Sequence, residues 1–97
     1  MSKSGILDNV RFLFSIAQKG VCGEDELRII LNMTEEHTDN LILGRVFGYS
    51  VSDYAIATLK WIGSDSTLKE FKNIFDKLSK NRQTEIETLI SRKLYLE

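Results

Sequence analysis

Apolar side chains recur at intervals of three and four along nearly the whole of this chain, and no proline interrupts them. That pattern restricts the fold more than any other feature, because a spacing near 3.6 gathers apolar groups on one side of an α-helix whereas strands need alternation. Residues 6–17 place Ile6, Val10, Leu13, Phe14 and Ala17 on one stripe, with Gly20 as a natural stop. Beyond Gly23, Glu24 and Asp25 suit the positive end of a second helix, about two turns long, with Leu27, Ile30 and Leu31 inward. Thr34 is a good cap for a third helix over 34–46, with Glu35 and Glu36 in its first turn and Thr38, Leu41, Ile42 and Val46 facing the core. Gly44 and Gly48 weaken its end.

Ser50 or Ser52 caps a fourth helix ending at Gly63, with Ala55, Leu59 and Ile62 inward and Trp61 on a flank. Thr67 and Glu70 have capping-box spacing ahead of Leu68, Phe71, Ile74, Phe75 and Leu78. Ser79 then caps a last helix with Ile86, Leu89, Ile90 and Leu94. Together these elements predict an all-α, five- or six-helix compact domain, with a core over residues 1–66 and a C-terminal helical hairpin over 67–97 packed on it.

Composition narrows the function. A chain of 97 residues makes one small domain. Its one cysteine, Cys22, has no internal disulfide partner, and one Cys with one His cannot assemble a structural zinc site, so neither metal nor cofactor is expected. Apolar runs such as Ile29-Ile30-Leu31 are far shorter than the ~20 residues a membrane span needs, and Asp8 and Arg11 stand where a signal peptide would be apolar. A cytoplasmic, non-membrane protein is expected. The net charge of −1 argues against a non-specific nucleic-acid binder. Residues 1–66 hold six basic and nine acidic side chains, and residues 67–97 seven and five, so the acidity lies in the N-terminal part.

The stretch ELRIILNMTEEHTDNLILG, residues 26–44, resembles the second and third helices of lambda-repressor-like, Cro-like helix-turn-helix domains. Glu26 and Leu27 match the pair that opens the family's second helix and Leu31 the leucine that closes it. Asn32 and Met33 match the turn, Thr34 the cap of the recognition helix, and Leu41 and Gly44 its end. VRFLFSIAQKGV is similar to the family's first helix and SVSDYAIATLKWIG to its fourth, while FDKLSKNRQTEIETLISRKL is similar to a hairpin found after such domains in repressors. The resemblance implies a helix-turn-helix core and a dimeric, DNA-binding transcription regulator. The recognition helix would lie in the major groove with Glu36 and Asn40 on base edges, Asn40 being the natural reader of adenine. His37 would add charge below neutral pH, and Lys19, Arg28, Arg45 and Lys60 would contact phosphates.

The charge on that helix points elsewhere. Glu35, Glu36 and Asp39 would face a phosphate-lined groove, and Glu24 stands where the family uses a neutral donor to the DNA backbone. Glu35 and Glu36 have an ordinary explanation as first-turn acids. Leu43 and Phe47, four apart, lie away from Thr38, Ile42 and Val46 on the expected helix, so either the hairpin covers them or they form an apolar patch rimmed by acids. In the second case the chain is a degenerate helix-turn-helix protein that binds a regulatory protein, as an antirepressor does, through Glu35, Asp39, Leu43 and Phe47. The stripe of Phe71, Phe75 and Leu78, together with Leu89, offers a dimer interface. An enzyme is not expected: no third group is spaced to activate Cys22 or His37.

Overall fold

A computed structural model of the chain describes residues 4–35, 45–46 and 49–96. Within them the order is α1 (Ser4–Lys19), α2 (Glu24–Thr34), β1 (Arg45–Val46), β2 (Tyr49–Ser50), α3 (Val51–Ile62), α4 (Asp65–Phe75), α5 (Lys80–Arg92) and a closing 3-10 turn, Leu94–Leu96. The fold is all-α apart from the antiparallel β1–β2 ladder, in which Arg45 pairs with Ser50 and Val46 with Tyr49.

The organising element is α3. Residues 51–59 are buried without a break, so this helix is enclosed on all sides rather than along one stripe. Ala55 and Ala57 let neighbours approach closely, while Tyr54, Ile56 and Leu59 fill the space between them. The buried Thr58 hydroxyl is satisfied by donating to the Tyr54 carbonyl at 2.7 Å. Helices α1, α2, α4 and α5 all pack against α3, and α4 and α5 lean on it far more than on each other. Val10, Leu13 and Ile16 of α1, Ile30 and Met33 of α2 and Leu89 of α5 complete the core.

Local chemistry explains the helix ends. Ser50 caps α3 by accepting the Asp53 N–H, and the Asp53 carboxylate takes the Ser50 N–H in return at 3.1 Å. Gly63 ends α3 at φ 75°, a left-handed position that any side chain would strain. Ser79 caps α5 as its sequence position implies. For α4 the cap is Ser64, not Thr67: Thr67 is buried, and its N–H and hydroxyl both turn back to Ser64.

Two elements depart from the sequence reading. Helix α2 does not turn at Asn32-Met33 but runs 11 residues through Thr34. No helix breaker occupies that stretch, Met33 is buried in the core, and the Thr34 hydroxyl donates to the Leu31 carbonyl within α2. Arg45 and Val46, expected at the end of the third helix, are in β1. Each glycine costs a helix about 1 kcal/mol, so Gly44 and Gly48 oppose helix here, whereas Val46 and Tyr49 are good strand formers. The remainder of the expected third helix, residues 36–44, lies outside the described residues. Leu94, placed by its spacing on the last helix, follows Lys93, whose left-handed conformation (φ 49°) ends α5.

Candidate functional site

The surface open to partners begins at the joint between α1 and α2. Gly20, at φ 74°, reverses the chain after α1. Val21 then stands 66% exposed, and Cys22 is half-buried. Gly23 caps α2 without a side chain, and Glu26 compensates by reaching back to the Gly23 N–H at 3.0 Å while accepting from Lys19 at 3.0 Å. These two contacts, the backbone one foremost, hold the Glu26 carboxyl below its ordinary pKa. The Cys22 thiol is pushed up, first by partial burial and then by Glu26. A thiol kept protonated is a poor nucleophile.

The outer face of α2 carries Asp25, Arg28, Ile29, Asn32 and Glu35, all exposed. Ile29 is the unusual member, a large apolar side chain 43% exposed in the middle of a polar face. Arg28 comes within 4.0 Å of Asp25. Where α2 ends, a groove of about 530 Å³ runs between it and the C-terminal half of α4, floored by Leu31, Ile74 and Leu78 and edged by Thr34, Glu35, Glu70 and Lys77. Its walls thus combine an apolar floor with two carboxylates and one ammonium.

Of the four residues assigned to phosphates, Lys19 is committed to Glu26, and Arg28 and Lys60 are exposed. The Lys60 ammonium lies 5.6 Å from the centre of the Phe71 ring. The fourth, Arg45, sits on β1. Thr34, expected as the cap of the recognition helix, is the last residue of α2, and its carbonyl accepts from the Ser52 hydroxyl. Glu36, His37, Asp39, Asn40, Leu43 and Phe47 lie outside the described residues.

The residues assigned to an interface between copies divide. Leu89 is fully buried within a single chain and so is withdrawn from that role. Phe71, Phe75 and Leu78 are half-buried, with Phe71 stacked on Phe75 at 5.1 Å between ring centres. Their stripe is partly sealed by α3 and partly open, and Leu78 belongs to the groove.

One cluster went unforeseen. The Arg82 guanidinium donates from Nε at 3.2 Å and from one terminal nitrogen at 2.8 Å to a single oxygen of Asp53. The same nitrogen donates to the Ser52 hydroxyl at 2.9 Å, and that hydroxyl donates onward to the Thr34 carbonyl. The Asp53 side chain is 2% exposed and the Arg82 side chain 23%. The only sequence signal was Asp53 standing three residues after Ser50, which marks a cap but names no cationic partner 29 residues away.

Among the described residues no cluster of His, Cys, Asp and Glu could hold a metal ion, and no helix is long and apolar enough to cross a membrane. Comparison with known protein families, characterised proteins and solved structures finds no match.

Proposed function

We propose that this chain is a small regulatory domain that works by binding another protein, and that the outer face of α2 with the groove at its end is the contact surface. The observation that carries the proposal is Ile29, exposed among Asp25, Arg28, Asn32 and Glu35, on a helix whose end opens onto an apolar-floored groove. An apolar anchor within a polar rim is how protein interfaces are built. The first turn of α2 holds Glu24, Asp25 and Glu26, against which stand Lys19, spent on Glu26, and Arg28, 4.0 Å from Asp25. Such a helix end repels phosphate and suits a partner with basic groups around an apolar centre.

The second reading is a dimeric helix-turn-helix regulator that binds DNA. It draws on the packing of α1 and α2 on α3 as a three-helix core and on the exposed Arg28 and Lys60.

One set of experiments separates the two. Affinity capture from the native cell, with Ile29→Asp and Glu35→Lys alongside the unaltered chain, should retain a partner that both variants lose while their melting curves are unchanged. DNA binding that selects a two-half-site fragment and weakens steeply with salt, with a dimeric mass in solution, would establish the second reading instead. Variants that keep the partner overturn the assignment of the α2 face.

A further inference from the structure

Both walls of the groove are tied to the first turn of α5. The α4 wall ends in Lys77 and Leu78, directly ahead of the Ser79 cap, and the Gln83 side-chain amide donates to the Phe75 carbonyl at 2.9 Å. The α2 wall ends in Thr34 and Glu35, and Thr34 is reached from Arg82 through the Ser52 hydroxyl. Ser52 and Asp53 belong to the buried start of α3, so they form a fixed post between the two. Arg82 alone provides the fork that serves Asp53 and Ser52 together, which a single ammonium cannot reproduce.

We propose that the first turn of α5 is a clasp: while Arg82 is seated on Ser52 and Asp53 it holds the Thr34 end of α2 at its distance from α4, and unseating it loosens the groove without unfolding α3. The clasp is a property of the free domain, whichever partner α2 serves.

Amide hydrogen exchange on the whole chain tests this residue by residue. Arg82→Lys keeps a positive charge for Asp53 but abandons Ser52. It should accelerate exchange at the last turn of α2, including the Glu35 N–H that donates to Asn32, roughly tenfold, the equivalent of one lost hydrogen bond. Leu89→Ala, which weakens the core without touching that chain of bonds, should speed the α3 amides of residues 55–59 but not the last turn of α2. Ser52→Ala should reproduce the α2 effect, and adding Arg82→Lys to it should bring no further change there. Gln83→Ala should instead loosen Lys77 and Leu78, whose N–H groups donate to Ile74 and Phe75. An unchanged α2 end in Arg82→Lys overturns the clasp, and so does an equal acceleration of that end in Leu89→Ala, which would make Arg82 a purely global stabiliser.

Discussion

The ion pair between Arg82 and Asp53 allows a stability prediction worked from geometry. Arg82→Met keeps most of the aliphatic stem and removes the guanidinium. Left behind is a carboxylate that is 2% exposed and has lost both charged donors, although its other oxygen keeps the Ser50 N–H. Breaking a buried pair from one side costs about 3–5 kcal/mol, because the remaining charge is stranded. The lower end applies, since the Arg82 side chain is 23% exposed and water can follow the vacated space. A loss of about 3 kcal/mol is a large share of the roughly 5–15 kcal/mol that holds a domain together. At about 4–8 °C per kcal/mol for a domain of this size, melting should fall by roughly 12–24 °C. Urea unfolding followed by the half-buried Trp61 and by circular dichroism gives the free energy directly, provided the two probes coincide. Asp53→Asn added to Arg82→Met should recover part of the loss, because the stranded charge disappears while the size and the cap remain. A loss below about 1 kcal/mol would be that of a solvent-screened pair and would refute the reasoning.

Three further outcomes follow from other parts of the fold. Leu89→Ala should cost about 2–5 kcal/mol in urea unfolding and leave the solution mass unchanged, because the side chain fills the core of its own chain. Gly63→Ala should cost about 1 kcal/mol by the same measurement, almost all of it backbone strain at φ 75°, since an added Cβ meets nothing closer than 3.7 Å. For Glu26 the folded pKa is lowered, so its stabilisation is present above the ordinary carboxylate range and is lost as pH falls through the folded value. Acid unfolding of Glu26→Gln should accordingly be less steeply pH-dependent than that of the unaltered chain, and equal slopes would remove Glu26 from the acid response.

How much of this was legible in the sequence depends on how local each determinant is. Val10, Leu13 and Ala17 of α1, Ile86 and Leu89 of α5, the Ser79 cap and the Gly63 stop are set within a few residues and stand where spacing puts them, and of the two serines open to capping α3 the structure uses Ser50. Ser64 and Thr67 are both plausible caps, and only the burial of Thr67 decides for Ser64. The extension of α2 through Thr34 depends on Met33 finding the core and on Ser52, 18 residues further along, reaching the Thr34 carbonyl. No local pattern encodes that. The same holds for Arg82 and Asp53. Of the surface, the acids of the α2 first turn could be read directly, and so could the apolar stripe of α4. That Ile30 faces inward was legible from its spacing with Leu27 and Leu31, which leaves Ile29 off that face, and the structure buries Ile30 and exposes Ile29.

The enclosure of α3 also limits where function can lie. A helix with residues 51–59 all buried offers a partner no face over that stretch, although α1, α2, α4 and α5 all pack against it. It fixes the relative positions of the four helices around it, and the contact surface we propose lies on their outer faces. Those faces differ in kind. The outer face of α2 holds one exposed isoleucine among charges, whereas the apolar stripe of α4 is already half-sealed by the body of the domain. A stripe sealed on one side contributes less to a new interface than one fully open, because only area newly removed from water counts. The α2 face and the groove between α2 and α4 therefore combine open apolar surface with a rigid support behind it. Their walls are joined to the first turn of α5, through Ser52 to Arg82 on the α2 side and through the Phe75 carbonyl to Gln83 on the α4 side.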